Sequence, residues 1–166
     1  TSGVILVGEP VRYDASILAV RSAPAQHARV RGRTMADHPA FRFEGTFIET
    51  LGIRIVDATA RRVVAEMEVR PDLMTIGGRL HGGAIMSLAD SVGAYGAFRA
   101  LPAGAAGTTT IESKTNFFAG AASGTVRAES VPLHVGGRTS VWQTRVTNAD
   151  GRLVAQTVQT QLVLTA

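Results

Sequence analysis

The chain has 166 residues, of which 45% are hydrophobic and 18% are charged, and it contains no cysteine. This length and composition are typical of one globular domain. They exclude fibrous, low-complexity and disulfide-stapled classes, together with sulfur-ligated zinc sites and thiolate nucleophiles. Residues 1–34 contain five arginines and two acidic residues, Glu9 and Asp14, so they account for three of the four net positive charges. The rest of the chain is therefore nearly neutral, and we expect no nucleic-acid groove on it.

Residues 1–40 lack a steady apolar period, and residues 15–33 are rich in Ala, Ser and Arg without an acidic residue. We expect a separate extension here, flexible or non-native, that carries no chemistry. It would be a disordered arm, an upstream in-frame translation that precedes a natural start at Met35, or a transit peptide, which shares this composition. No apolar run reaches the ~20 residues of a membrane span, and a cysteine-free chain fits a reducing compartment, so we expect a cytoplasmic protein with no membrane partner.

Two apolar patterns of period two predict a pair of half-buried strands near the start of the globular part. The first covers residues 51–55, and the second covers 63–69, where apolar and charged side chains alternate. Residues 58–60 form a connection of hairpin length, and Pro71 ends the second strand because proline cannot donate to the ladder. We predict a loop at residues 77–78, which are both glycine.

A helix of small and apolar residues is predicted over 82–98. A helix with so little polar surface must be enclosed by other elements. Four longer strands are predicted after it, over 108–118, 125–134, 138–147 and 153–164. Residues 148–151 form a hairpin turn between the last two strands. This order predicts an α+β domain over residues 41–166, in which one antiparallel sheet curls round one long central helix.

Asp90 is the most informative position, because it lies within the predicted helix among apolar residues. A carboxylate in an apolar site must find hydrogen-bond donors or bind a proton, and both outcomes suit a catalytic base or nucleophile. Asp90 shares one helix face with Gly83, Ser87 and Ala94, and we call this face the small-residue stripe. A ligand or another backbone can approach such a stripe closely. The alternative interpretation is an ordinary solvated or capping aspartate.

His81, Gly82 and Gly83 stand where the helix begins. Backbone N–H groups at a helix N-terminus lack intrahelical partners, and the helix dipole is positive there. The two glycines allow a carbonyl oxygen to come within hydrogen-bond reach, which predicts an oxyanion hole. The alternative is ordinary turn chemistry, because glycine pairs are common at loop-to-helix junctions.

A Gly-x-x-His-Gly-Gly motif is followed by an acid nine positions after its histidine. Its residues are Gly78, His81, Gly82, Gly83 and Asp90. This combination resembles the hotdog-fold acyl-CoA thioesterases of the phenylacetic-acid-degradation (PaaI-like) group. Residues 41–52 are similar to the short leading helix and the start of the first strand in that group. Residues 110–117, 137–138 and 150–155 are similar to later segments, so the resemblance covers about residue 41 to the C-terminus.

The resemblance implies a hotdog fold and the hydrolysis of an acyl-CoA thioester to free acid and CoA. It implies a homodimer or homotetramer whose active sites are shared between subunits. The helix N-terminus at Gly82 and Gly83 would bind the thioester carbonyl, while Asp90 of the facing subunit would act as base or nucleophile. The acyl group is left open among arylacetyl, hydroxybenzoyl and medium-chain groups.

The resemblance also implies supporting roles. Thr110 would hold the attacking water or steady the carboxylate, with residues 108–109 as alternatives in a shifted register. His81 would orient the site or contact the carbonyl side, and it would not act as a base. Thr75 and Arg138 would contact the substrate. Because many relatives have Asn at the position of Thr75, and a hydroxyl offers one donor instead of two, we expect an altered rate or substrate preference.

The main alternative function is a non-catalytic hotdog module that binds acyl-CoA or regulates through it. Asp90 favours the enzyme, because a pure binder has no need of a costly carboxylate beside a polarising helix end. An α/β-hydrolase would need a Gly-x-Ser-x-Gly elbow, which the sequence lacks. The four histidines show no metal-ligand spacing, and no phosphate loop or dinucleotide fingerprint occurs, so we expect no metal and no other cofactor.

Overall fold

The computed structural model describes residues 43–165. The extension expected at residues 1–40 and the domain start at residue 41 lie outside the described residues. The elements, in chain order, are α1 (Phe47–Leu51), β1 (Arg54–Ala58), β2 (Val63–Glu68), a 3-10 turn (Pro71–Leu73), β3 (Met74–Thr75), β4 (Arg79–Leu80), α2 (Gly82–Arg99), β5 (Ala105–Phe117), β6 (Thr125–Val135), β7 (Thr139–Thr147) and β8 (Leu153–Thr165).

Six of the described strands form one sheet in the order β1-β2-β6-β7-β8-β5. Every neighbouring pair in this sheet is antiparallel. Helix α2 contacts β2, β5, β6, β7 and β8, so the sheet wraps one long helix. The predicted α+β architecture, a curled antiparallel sheet round a central helix, is confirmed.

The hydrophobic core lies between α2 and the inner face of the sheet. Ile85, Leu88 and Val92 of α2 are at most 2% exposed, and they belong to the same cluster as Val63 and Met67 of β2. Full burial of each such side chain contributes about 1.5–3 kcal/mol. This contact therefore fixes the rotation of α2 about its axis, and it leaves the small-residue stripe on the side that the sheet does not fully cover.

Two buried glycines allow α2 to approach β7 and β8 closely. A Cβ atom at Gly96 would lie 2.5 Å from Trp142 Cζ3, and one at Gly93 would lie 2.4 Å from Gln159 Oε1. Both distances are shorter than real carbon contacts, so any larger residue would displace the sheet side chain. Trp142 and Gln159 are both 0% exposed.

The first predicted strand, over 51–55, is wrong at its start. Leu51 is the last residue of α1, and Gly52 ends that helix with a left-handed φ of 69°. The hydroxyl of Thr46 caps the helix by accepting a hydrogen bond from the N–H of Glu49. These caps stabilise one helical turn where the apolar pattern alone indicated a strand. The resemblance, which implied a short leading helix, is confirmed on this point.

The loop predicted at residues 77–78 is present, and it forms the turn of a small hairpin made by β3 and β4. The N–H of Gly78 donates to the carbonyl of Thr75 at 3.2 Å. Gly77 has a φ of 95°, a value that a type II turn requires at its third residue. The two flanking strands were not predicted, because strands of two residues give no periodic signal.

The four later strands are present, with bounds that differ from the predicted ones by up to three residues, as at Ala105 where 108 was expected. The predicted turn at 148–151 is also found. The N–H of Gly151 donates to the carbonyl of Asn148 at 2.9 Å, and Gly151 has a φ of 77°.

Candidate active site

Asp90 is held by two side chains of the sheet. Its Oδ1 oxygen accepts a hydrogen bond from the Thr110 hydroxyl at 3.1 Å and another from Gln159 Nε2 at 3.2 Å. Gln159 Nε2 also donates to the Asp90 carbonyl oxygen at 3.2 Å. Asp90 is half-buried, and its Oδ2 oxygen accepts no hydrogen bond from residues 43–165. The carboxylate is therefore fixed through one oxygen, while the other is available.

The Thr110 hydroxyl belongs to a chain of hydrogen bonds between β5 and β8. Gln161 Nε2 donates to Thr110 Oγ1 at 2.6 Å, and Thr108 Oγ1 donates to Gln161 Oε1 at 3.2 Å. Thr109 lies between them, is exposed, and points to the opposite face of the strand. Of the three threonines considered from the sequence, Thr110 is the one that contacts Asp90.

His81 caps the N-terminus of α2. Its backbone is extended (φ −65°, ψ 138°), and its Nδ1 accepts a hydrogen bond from the N–H of Gly83 at 2.8 Å. The N–H groups of Ala84 and Ile85 both donate to the His81 carbonyl. Among residues 43–165, the N–H of Gly82 has no acceptor. Of the two donors expected at this helix end, one is therefore occupied by His81 and the other is available.

A cavity of about 550 Å³ lies beside the first turns of α2, within the range usual for ligand pockets. Its lining residues are Phe47, Thr50, Leu51, Arg70, Asp72, Leu73, Met74, His81, Gly83, Ala84 and Ser87. Gly83 and Ser87 connect the cavity to the small-residue stripe, on which Asp90 lies about one turn beyond Ser87. The walls are largely apolar, and the ion pair of Arg70 with Asp72, at 2.9 Å, lies on one side.

The two expected substrate contacts lie apart from this network. Thr75 is exposed on the β3–β4 hairpin, and it does not line the cavity. Arg138 is exposed in the turn between β6 and β7, where its carbonyl accepts a hydrogen bond from the N–H of Val163 at 2.8 Å. In the described part of the chain, no hydrogen bond links either side chain to Asp90 or to the start of α2.

Gln159 and Gln161 were not predicted as site residues, although both are 0% exposed and reach the Asp90 network. With Thr157 they give the inner face of β8 a polar character. The opposite face carries Val158, which is half-buried, and Leu162, which is exposed. Apolar periodicity alone would therefore assign the wrong face of β8 to the protein interior. The available signal was the regular spacing of two glutamines along a strand that borders an apolar helix.

Phe117 is a further residue that the sequence did not reveal. It is the last residue of β5, and its ring lies over the start of α2, since a Cβ atom at Gly82 would be 3.3 Å from Phe117 Cζ. The residue is 49% exposed, so part of the ring is in contact with solvent. A single aromatic residue at the end of a strand gives no sequence pattern that would mark it as part of a site.

Within residues 43–165, no three histidine or acidic side chains converge to hold a metal ion. None of the helices in that range is long and apolar enough to cross a membrane. The apolar surface of α2 is covered by the sheet instead.

Residues 77–155 match the Thioesterase superfamily. The chain is 34% identical over 109 residues to ComA2 of Bacillus subtilis, described as an esterase, covering 66% of this chain and 86% of that protein. It is 31% identical over 121 residues to the 1,4-dihydroxy-2-naphthoyl-CoA hydrolase of Escherichia coli, covering 73% and 88%. Among solved structures, a thioesterase from Haemophilus influenzae superposes with a TM-score of 0.70 at 25% identity, covering 74% of this chain and 85% of that one.

We expect His81→Ala to lower the free energy of unfolding by about 0.5–2 kcal/mol, because the N–H of Gly83 loses its acceptor. His81→Asp should keep most of the stability, since a carboxylate at an N-cap accepts the same kind of bond and interacts well with the helix dipole. Chemical denaturation of the three proteins at equal concentration measures the difference. Equal stability of wild type and His81→Ala would show that this cap contributes nothing.

Proposed function

The chain belongs to the thioesterase superfamily, and on that premise we propose that it hydrolyses an acyl-CoA thioester to free acid and CoA. We also propose that it falls within the PaaI-like group of that superfamily. The observation that carries the proposal is the Asp90 carboxylate, fixed at Oδ1 by two donors and available at Oδ2, on the same helix as an available N–H at Gly82. A relative named as a naphthoyl-CoA hydrolase supports a CoA thioester as the substrate class.

The carboxylate can act in either of two ways. As a base, Asp90 takes a proton from water while the water oxygen bonds to the thioester carbon; the carbon–sulfur bond then breaks and the proton passes to the thiolate of CoA. As a nucleophile, its oxygen bonds to the same carbon and expels the thiolate, and water then cleaves the resulting anhydride. Both routes need one oxygen of the carboxylate to be accessible.

The start of α2 stabilises the negative charge that develops on the carbonyl oxygen. The N–H of Gly82 is the donor for it, while His81 orients the turn through its bond to Gly83. Loss of one such donor typically costs about 3–4 kcal/mol of transition-state stabilisation. Phe117, which lies over Gly82, would shield this hydrogen bond from water.

One chain cannot complete this site. Gly82 and Asp90 are separated by about 12 Å along the helix axis, at ~1.5 Å per residue, whereas a carbonyl bound at Gly82 lies about 3 Å from its N–H. The carboxylate that reacts must therefore come from a second copy whose α2 lies alongside in the opposite direction. We propose a homodimer, or a homotetramer built from it, with shared active sites. The 13-residue strand β5 at the sheet edge offers a surface for that association.

The acyl group is proposed to occupy the cavity of about 550 Å³, because His81 and Gly83, which flank the proposed oxyanion donor Gly82, both lie in its lining. Its size fits an arylacetyl, hydroxybenzoyl or medium-chain group. Thr75 and Arg138 are proposed to contact the CoA portion or the outer part of the substrate, since both are exposed and outside the cavity. Release of free thiol across a panel of these acyl-CoA esters identifies the preferred substrate.

Asp90→Asn should lower kcat by about 10²–10⁴-fold, because the amide is nearly isosteric but can neither accept the proton nor attack. Thiol release from the preferred acyl-CoA is the measurement. Asp57→Asn, an exposed position on β1, is the control and should retain wild-type turnover. If Asp90→Asn kept more than about a tenth of the activity, Asp90 would have no part in the chemistry.

Gly82→Pro should lower kcat by about 10²-fold or more, because it removes the N–H that we assign to the oxyanion. Proline suits the first residue of a helix, and the extended backbone of His81 suits a residue before proline, so the fold should be retained. Gly82→Ala is the matched control, since it adds a Cβ beside Phe117 but keeps the N–H. Equal losses in the two variants would assign the effect to the side chain and remove the N–H from the mechanism.

Mixing the Gly82→Pro and Asp90→Asn chains should restore activity if the sites are shared. In a mixed dimer, one site would contain both substitutions and the other neither, so random exchange should recover about a quarter of wild-type turnover. The measurement is thiol release after the two proteins are unfolded and refolded together. Activity no higher than the average of the two parents would place both groups of each site in one chain and contradict the shared-site proposal.

A further inference from the structure

We propose that Gln159 and Gln161, two buried glutamines of β8, are positioning residues that hold Asp90 by Oδ1 so that Oδ2 is the oxygen that reacts. This inference rests on the proposed function, since it assigns the two oxygens of the same carboxylate to different tasks. Neither glutamine touches the substrate. Both act through Asp90, one directly and one through Thr110.

Gln159 faces Asp90 with its amide nitrogen. Nε2 lies 3.2 Å from both the carbonyl oxygen and the Oδ1 of Asp90, and two acceptors at that distance require a donor between them. Its own Oε1 is buried and has no hydrogen-bond partner in the described part of the chain. A buried unpaired carbonyl costs about 1–3 kcal/mol, so an apolar residue of this size would suit stability better. The polar contacts of this side chain are therefore those that its nitrogen makes to Asp90.

Gln161 determines the direction of the Thr110 hydroxyl. Its Nε2 donates to Thr110 Oγ1 at 2.6 Å. The Thr108 hydroxyl lies 3.2 Å from Gln161 Oε1 and 3.0 Å from the Leu162 carbonyl oxygen, and it shares its proton between these two acceptors. A hydroxyl has one proton, and Thr110 already accepts the bond from Gln161, so its proton is free to point at Asp90. If Gln161 offered an acceptor there instead, Thr110 could donate away from the carboxylate.

Gly93 makes this arrangement possible. A Cβ atom at this position would lie 2.4 Å from Gln159 Oε1 and 3.0 Å from Nε2. Glycine in the middle of a helix costs up to about 1 kcal/mol relative to alanine, so its presence on the buried side of α2 is not explained by helix stability. It leaves the space in which the amide of Gln159 reaches one turn back to Asp90.

Gln159→Leu and Gln161→Leu should each lower kcat by about 10–100-fold with KM within about 2-fold. Asp90 loses a donor in the first variant, and the Thr110 hydroxyl loses the bond that fixes its direction in the second, while the substrate contacts are unchanged. The melting temperature should change little in Gln159→Leu, since the loss of the bonds from Nε2 to Asp90 is offset by removal of the unpaired Oε1, and Thr110 still donates to Asp90. Gln156→Leu, on the outer face of the same strand, is the control and should leave kcat unchanged. A wild-type kcat in both buried variants, or an activity loss matched by loss of fold, would overturn the inference.

Gly93→Ala tests the same contact without altering any polar group. It should lower kcat as Gln159→Leu does, because the added methyl displaces the amide. In a Gln159→Ala background, where the space is free, the same substitution should cause no further loss. Additive losses in the double variant would show that Gly93 acts through something other than Gln159.

A readout that needs no substrate separates this inference from the proposed function. The carboxyl carbon resonance of Asp90 should shift in Gln159→Leu and Gln161→Leu but not in Gln156→Leu. An unmoved resonance would overturn the inference even if Asp90→Asn abolishes hydrolysis, which would leave the proposed function in place. If the wild type does not hydrolyse acyl-CoA, the proposed function is wrong, and so is the catalytic role of the glutamines. The Asp90 resonance would still show whether the glutamines hold the carboxylate.

Discussion

An aspartate on a helix that is largely wrapped by a sheet must receive hydrogen bonds, because an unpaired carboxylate in a poorly solvated site costs several kcal/mol. Thr110 and Gln159 meet this requirement from β5 and β8, which are neighbours in the sheet. Since both donors are fixed to paired strands, the strand register sets the position of the carboxylate. The polar inner face of β8 and the glycine at position 93, on the buried side of α2, follow from the same constraint.

The proposed chemistry and the proposed acyl cavity are carried by different parts of the molecule. Asp90 and its donors lie on the long helix and on two long strands, which pack extensively against the other elements of the fold. The cavity is bounded instead by α1, the 3-10 turn and the first turns of α2. Residues such as Phe47 and Met74 can therefore change without disturbing the register that holds the carboxylate. A division of this kind lets one fold act on many acyl groups.

The sequence predicted the sheet, the enclosed helix and the central position of Asp90, because these rest on long periodic segments and on one costly residue in an apolar helix. Through the family resemblance it also favoured Thr110 among three adjacent threonines, and Thr110 is the one that contacts Asp90. It could not reveal that the N–H of Gly83 is taken by His81, since that depends on a side-chain rotamer. Gln159 and its partner Gln161 were missed because apolar periodicity orients β8 with the opposite face inward.

The close contact of Gly93 with Gln159 constrains how these two positions can change during evolution. A larger residue at position 93 excludes the glutamine amide, while loss of the glutamine leaves an empty space beneath the helix that a methyl group would fill. Either change alone disturbs the packing between α2 and β8, whereas the two changes together restore it. Lineages of this fold should therefore inherit the two positions as a linked pair, either glycine with a long amide or alanine with a smaller residue.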